Sequence, residues 1–195
     1  MSLLIALAYV TIGAASAASY NETMLGSGSD TTCVCTTVPC PVSGKNLLDV
    51  GEGAAVGTYN YAMHSDHAVV TFVHMTIDNT VIDHGSETTS CTQAYSRTLD
   101  DDGVEDCDAG HILAHRLGGP GNQPINIFPQ DLSINRGSYA QYEGDIYDCV
   151  YGGAKADLSW TFTYESTSHT KPYKVKYVAD YTGGSCDDTS VTFDN

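Results

Sequence analysis

His111 closes the tetrad Asp108-Ala109-Gly110-His111. Downstream come Asn126-Ile127-Phe128-Pro129-Gln130, then Asn135-Arg136-Gly137, then Glu143, eight residues after Asn135. An imidazole with an ordinary pKa of about 6.5 suits proton abstraction from water near neutral pH. An asparagine side-chain oxygen suits a hard divalent cation, which prefers oxygen ligands and keeps several waters, and a nearby glutamate can hold one of those waters. The chain's three arginines, Arg97, Arg116 and Arg136, fall within one stretch of 40 residues, and a guanidinium clamps an oxyanion in bidentate fashion. Base, cation ligand and anion clamp are the parts of a metal-assisted hydrolytic site.

Each residue also has a structural reading. His111 could be a satisfied core histidine, Asn135 an N-cap for a helix opening near Gly137, Glu143 an exposed helix residue, and Asn126 a turn former before Pro129. Arg97 and Arg136 could be ion-pair partners. Asp108 is expected to bond nearby backbone and Gly110 to permit a tight turn into His111. A rival metal site is His111-Ile112-Leu113-Ala114-His115, whose histidines would share a helix face and bind zinc. It lacks the glutamate of the H-E-x-x-H pattern, and no third ligand is suggested by spacing.

The three spaced elements together, Asp108 to His111, Asn126 to Gln130, and Asn135 to Gly137 with Glu143 beyond, resemble the DNA/RNA non-specific endonuclease family of the ββα-metal, or His-Me finger, class. Its pattern is D-x-G-H, N-x-x-P-Q and L-N-x-G with a downstream Glu. The resemblance covers roughly residues 108 to 149 closely. It implies an α+β fold in which a hairpin delivers His111 as general base and a helix delivers Asn135 as metal ligand. Glu143 would hold metal-bound water, and Arg136 and Asn126 would lie near the reacting phosphate. Arg97 and Arg116 would contact substrate. The implied cofactor is Mg²⁺, with Mn²⁺ or Ca²⁺ as alternatives; the implied substrates are DNA and RNA, since an attacking water needs no 2′-hydroxyl, and the implied products carry 5′-phosphates. The best-known form of the pattern is D-R-G-H. Ala109 replaces its arginine here, so Arg97, Arg116 or Arg136 must supply the phosphate contact, with Arg136 and Arg97 the leading candidates. The alternatives are an inactive nuclease-fold binding protein and a zinc hydrolase using His111 and His115.

The elements that must position these residues are partly legible. Ala54 to Ala62, Ala68 to Ile77 and Thr89 to Leu99 are rich in Val, Thr, Tyr and Phe with partial alternation, which predicts strands and puts Arg97 on the last of them. An acidic loop, Asp100 to Asp106, follows without EF-hand spacing. Between Ser133 and Val150 the spacing of Tyr139, Tyr142, Ile146, Tyr147 and Val150 predicts a helix from about Gly137. Leu158 to Glu165 and Tyr173 to Tyr181 alternate well and predict a hairpin. The expectation is an antiparallel sheet around a ββα-metal core.

Residues 1–18 read as a secretory signal, a short apolar run turning into Ala14-Ala15-Ser16-Ala17-Ala18; about ten apolar residues fall short of the ~20 a spanning helix needs. Residues 19–44, rich in Ser, Thr, Gly and Cys, predict a disulfide-tied lead-in, and 45–195 the nuclease domain. Asn21-Glu22-Thr23 is a glycosylation sequon. The mature protein is expected to be secreted, with no membrane association once the signal is cleaved. Seven cysteines in an exported chain read as disulfides, with one left over and the pairing open. Cys107 precedes the Asp108 motif and Cys149 ends the expected helix, so a bridge between them is expected to tie the two halves of the site. The formal charge of −16 opposes a broad phosphate-binding face. The clustered arginines nonetheless allow a local cationic site on an acidic body.

Overall fold

The computed structural model describes residues 23–25, 32–34, 44–50, 55–65, 67–103 and 107–195, with side chains from Thr58 onward. The expected signal segment and the Asn21 sequon lie outside the described residues. In chain order the strands are β1 (Thr23–Leu25), β2 (Thr32–Val34), β3 (Gly44–Val50), β4 (Ala55–His64) and β5 (His67–Ile77). Helix α1 (Ser90–Leu99) and strands β6 (Cys107–His111) and β7 (Ile127–Asp131) follow. A short helical turn α2 (Leu132–Ile134), a wide π-type turn (Asn135–Tyr139) and α3 (Ala140–Tyr151) come next, and β8 (Lys155–Thr163), β9 (Lys174–Thr182) and β10 (Thr189–Asp194) close the fold.

Antiparallel ladders join β10-β9-β8-β5-β4-β3 into a six-stranded sheet, while β1–β2 and β6–β7 are separate ribbons. The expected hairpin is the β8–β9 pair, in register from Lys155 opposite Thr182 to Thr163 opposite Lys174. Its period-two pattern buries Ala156, Leu158, Trp160 and Phe162 on one strand and Val175, Tyr177 and Ala179 on the other, so one face is core and the other is wet. The helical segment covers that face with Tyr139, Tyr142, Ile146 and Val150. Tyr142 of the helix packs edge-on against Tyr177 at 5.0 Å between centroids, and Tyr177 in turn packs on its cross-strand neighbour Trp160 at 4.3 Å, an arrangement that adds to area burial.

Two expectations are overturned. The stretch read as a strand from Thr89 to Leu99 is the helix α1. Its N-terminus is closed by a reciprocal cap in which Thr89 Oγ1 accepts from the Thr92 amide at 3.2 Å and Thr92 Oγ1 accepts from the Thr89 amide at 2.9 Å. A hydroxyl thus takes the place of the usual Glu or Gln of a capping box. Cys91, Thr92, Ser96 and Leu99 form its buried face, and that tertiary burial outweighs the β preference of Thr and Tyr. The expected Cys107–Cys149 bridge is also absent. Cys149 pairs instead with Cys186, pinning the end of α3 to the segment after β9, and Cys107 is the one free thiol among the described residues. Cys91 is disulfide-bonded as well.

The acidic loop is tied down where it is described. Lys171 Nζ, only 3% exposed, meets Asp102 and Asp131 at 2.5 and 2.7 Å and Asp100 at 3.4 Å. Asp101 accepts from the amides of Thr170 and Lys171. The loop is therefore anchored to the β8–β9 connection.

Candidate active site

β6 and β7 form a short antiparallel ribbon with His111 opposite Ile127 and Asp108 opposite Gln130. β7 runs directly into the helical segment that carries Asn135. The ribbon sits on the core through a relay of hydrogen bonds. Trp160 Nε1 donates to Tyr139 Oη at 3.1 Å, and Tyr139 Oη donates to the carbonyl of Ile112 at 3.2 Å, next to His111. Helix α1 holds the other side, with Ser96 Oγ donating to Asp108 O and Thr92 Oγ1 donating to Gly121 O.

His111, Asn135, Arg136 and Arg97 line one cleft of about 400 Å³, together with Asp108 and Glu87. The His111 ring is mostly buried, and Nε2 lies 3.1 Å from the carbonyl oxygen of Ser86. A carbonyl only accepts, so Nε2 carries the hydrogen and Nδ1 offers its lone pair. Gly121 makes room for this ring, because a Cβ there would fall 2.5 Å from Nε2. Burial lowers the His111 pKa below the ordinary imidazole value, against the raising effect of the Ser86 bond and of Glu87. The ring is consequently neutral at pH 7 and able to accept a proton.

Asp108 does not bond nearby backbone as expected. Its carboxylate accepts from Asn135 Nδ2 at 2.9 Å and from Arg136 Nε and Nη2, each at 2.8 Å. Burial pushes this carboxyl up, but the bonds from Arg136 and Asn135 outweigh it and hold the pKa below the usual carboxylate range. With its NH₂ held by Asp108, Asn135 keeps Oδ1 available as an oxygen donor. Asn135 caps nothing: its backbone is helical, and the turn it opens has no side-chain cap. Gly110 makes no tight turn either. It lies inside β6, where a Cβ would strike Gln130 Oε1 at 2.3 Å, so close approach rather than a turn requires it.

Of the remaining candidates, only Arg97 lines the cleft. Arg97 reaches the cleft from the last turn of α1 rather than from a strand, and it has no carboxylate partner among the described residues. Arg116 lies outside the cleft with its guanidinium 4.7 Å above the Tyr147 ring. Asn126 is fully buried and all its polar groups are used. Oδ1 accepts from Tyr59 Oη and the Leu113 amide, and Nδ2 donates to the carbonyls of Leu113 and Pro120. It braces the segment that follows His111. Glu143 is buried with Oε1 unpartnered among the described residues. Burial raises its pKa well above the ordinary glutamate value, and Arg116 opposes that.

The zinc geometry is not realised. His111 ends a strand and His115 begins a separate 3₁₀ turn, Glu87 lies 3.4 Å from His115 Nδ1, and no group of three His, Cys, Asp or Glu among the described residues could hold a metal ion. The donor set fits a hard, water-rich cation better. It offers one oriented amide oxygen at a cleft and an orphaned buried carboxyl oxygen, that of Glu143, on the same helical segment, the kind of group that takes a water. The residues missed by sequence reading are Ser86 and Asp108 in its bridging role, and both act on partners more than 20 residues away.

Comparison with known proteins identifies the family and the fold. Residues 68–183 match the family model of the DNA/RNA non-specific endonucleases. The chain is 32% identical over 114 residues to a probable deoxyribonuclease RhsA of Dickeya dadantii (strain 3937), covering 58% of this chain; it spans 8% of that protein's length. Among solved structures, NucA from Streptococcus agalactiae with no metal bound matches at a TM-score of 0.54 and 14% identity, over 78% of this chain and 76% of that one. NucA with a magnesium ion bound matches at 0.53 and 14%, over 77% and 78%.

Proposed function

Because the chain belongs to the DNA/RNA non-specific endonuclease family, we propose that it is a phosphodiester hydrolase, a secreted, metal-dependent endonuclease that cuts both DNA and RNA. The observation that carries the mechanism is the pairing, in one cleft, of a neutral His111 with Nδ1 free and an Asn135 amide oriented by Asp108. His111 Nδ1 takes the proton of the attacking water, while the Nε2–H bond to Ser86 fixes the tautomer. Asn135 Oδ1 would hold the cation, and Glu143 would hold one of its waters. When bound, a divalent ion stabilises negative charge on the phosphate and the departing oxygen. Arg97 grips a phosphate oxygen, since Arg136 is already engaged by Asp108.

Magnesium is the ion favoured by this donor set, and Mn²⁺ is expected to substitute. Export is supported by the N-terminal apolar run and by the disulfide chemistry, which persists in oxidising compartments. Among the described residues no helix is long and apolar enough to cross a membrane. The test is digestion of plasmid DNA and of RNA by the purified protein. Activity is expected to vanish in excess EDTA and to return with Mg²⁺ or Mn²⁺; undiminished cleavage in EDTA refutes the mechanism.

A further inference from the structure

Helix α3 carries two tyrosines that the catalytic cleft does not use. The rings of Tyr147 and Tyr151, one helical turn apart, are nearly parallel at 14° with centroids 6.0 Å apart. Tyr151 is 72% exposed, the most exposed large hydrophobic side chain among the described residues. Tyr147 is clamped from two sides. The Arg116 guanidinium lies over its ring at 4.7 Å, and its hydroxyl donates to Asp83 at 2.7 Å.

One locally unfavourable backbone conformation supports this clamp. Asp83 adopts a left-handed backbone with φ of 64°, held by the hydrogen bond its N–H donates to the Arg116 carbonyl at 2.9 Å. Strain of this kind persists where the surroundings fix a useful geometry. The assembly adjoins the catalytic segment, because Arg116 follows His115, whose ring lies 6.5 Å from that of His111.

Building on the nuclease reading, we propose that Arg116, Tyr147 and Tyr151 form a stacking platform for an unpaired nucleobase of single-stranded DNA or RNA. Every base has a π-face, so stacking on an aromatic ring is indifferent to sequence and sugar. The charge balance favours this mode over phosphate gripping. Arg116 is the cation of the patch, Asp83 accepts from Tyr147, and Asp145 and Asp148 lie on the same helix. Few phosphates can be neutralised here, and affinity must come from the rings.

The test uses the full chain carrying His111→Ala, so that strands stay intact, and fluorescence anisotropy without metal. The probes are a short fluorescein-labelled oligothymidylate and an abasic strand of equal length and charge. Adding Tyr151→Ala is expected to weaken oligothymidylate binding about fivefold or more and to leave the abasic strand unchanged, while Tyr151→Trp retains binding. Equal loss on both strands, or no loss on either, overturns the platform. Binding of neither strand by the parent overturns it too. In that case, metal-dependent turnover of a small chromogenic phosphodiester by the wild-type protein decides separately whether the nuclease reading stands.

Discussion

Asp108→Ala isolates the bond that aims Asn135, the proposed metal ligand. In the native site the Asn135 NH₂ donates to a carboxylate at 2.9 Å, and a hydrogen bond to a charged group contributes about 1.5 to 3 kcal/mol. The Asp108 side chain is 19% exposed, so solvent screening argues for the lower end of that range. Losing about 1.5 kcal/mol of orientation corresponds to roughly a tenfold weaker metal site, within the usual cost of removing a group behind a ligand. Calorimetric titration with Mg²⁺ or Mn²⁺ reads this directly. Asp108→Asn keeps a carbonyl oxygen able to accept from Asn135 and is expected to recover metal affinity to within about threefold of wild type. Arg136→Ala, which removes the other partner of Asp108, is expected to leave metal affinity nearly unchanged. Unaltered metal affinity in Asp108→Ala refutes the positioning role. So does an Asp108→Asn variant as weak as the alanine, because a backbone-supporting aspartate would show no such rescue.

His111→Ala is expected to lower turnover on the order of a hundredfold or more with metal binding retained; loss of metal would make the ring a ligand. Because burial lowers the His111 pKa, the base is lost only as pH falls through a value below 6.5, so the acidic limb of kcat/KM should lie below that of a free imidazole, and a limb above pH 7 contradicts the assignment. Lys171→Met leaves three carboxylates facing one another and is expected to cost about 3 kcal/mol at pH 7, read by urea denaturation. Unchanged stability in this variant would refute the anchoring of the acidic loop by Lys171. Replacing Cys149 and Cys186 by serine frees a loop spanning 37 residues and is expected to cost about 3 to 4 kcal/mol with activity kept at low temperature; unchanged thermal stability refutes that.

What the sequence made legible was the chemistry more than its supports. His111, Asn135, Arg97 and Arg136 do meet in one cleft, because each has a side chain specialised for its step and all but Arg97 stand in compact motifs. The β8–β9 hairpin was equally readable, since strict alternation admits only one buried face. Helix α1 was not, because its buried face is built of Cys, Thr, Ser and Leu and its cap replaces a carboxylate with a hydroxyl. The partners of Asp108 lie 27 and 28 residues ahead, a separation at which no local pattern speaks. The cysteine pairing failed for the same reason, since Cys149 and Cys186 are 37 residues apart.

None of the residues lining the catalytic cleft comes from the six-stranded sheet; all belong to α1, the β6–β7 ribbon, the turn that follows it, or the loop ahead of α1. The scaffold and the chemistry therefore answer to different demands. Sheet positions need only keep volume and alternation, and volume-conserving apolar exchanges there are widely tolerated. A lineage can rewrite most of its strands while leaving a short, almost contiguous stretch intact, and a chain 14% identical to NucA still follows its backbone over three quarters of its length. For engineering, the same partition marks the outer strands as the place to graft new surface without disturbing the cleft around His111.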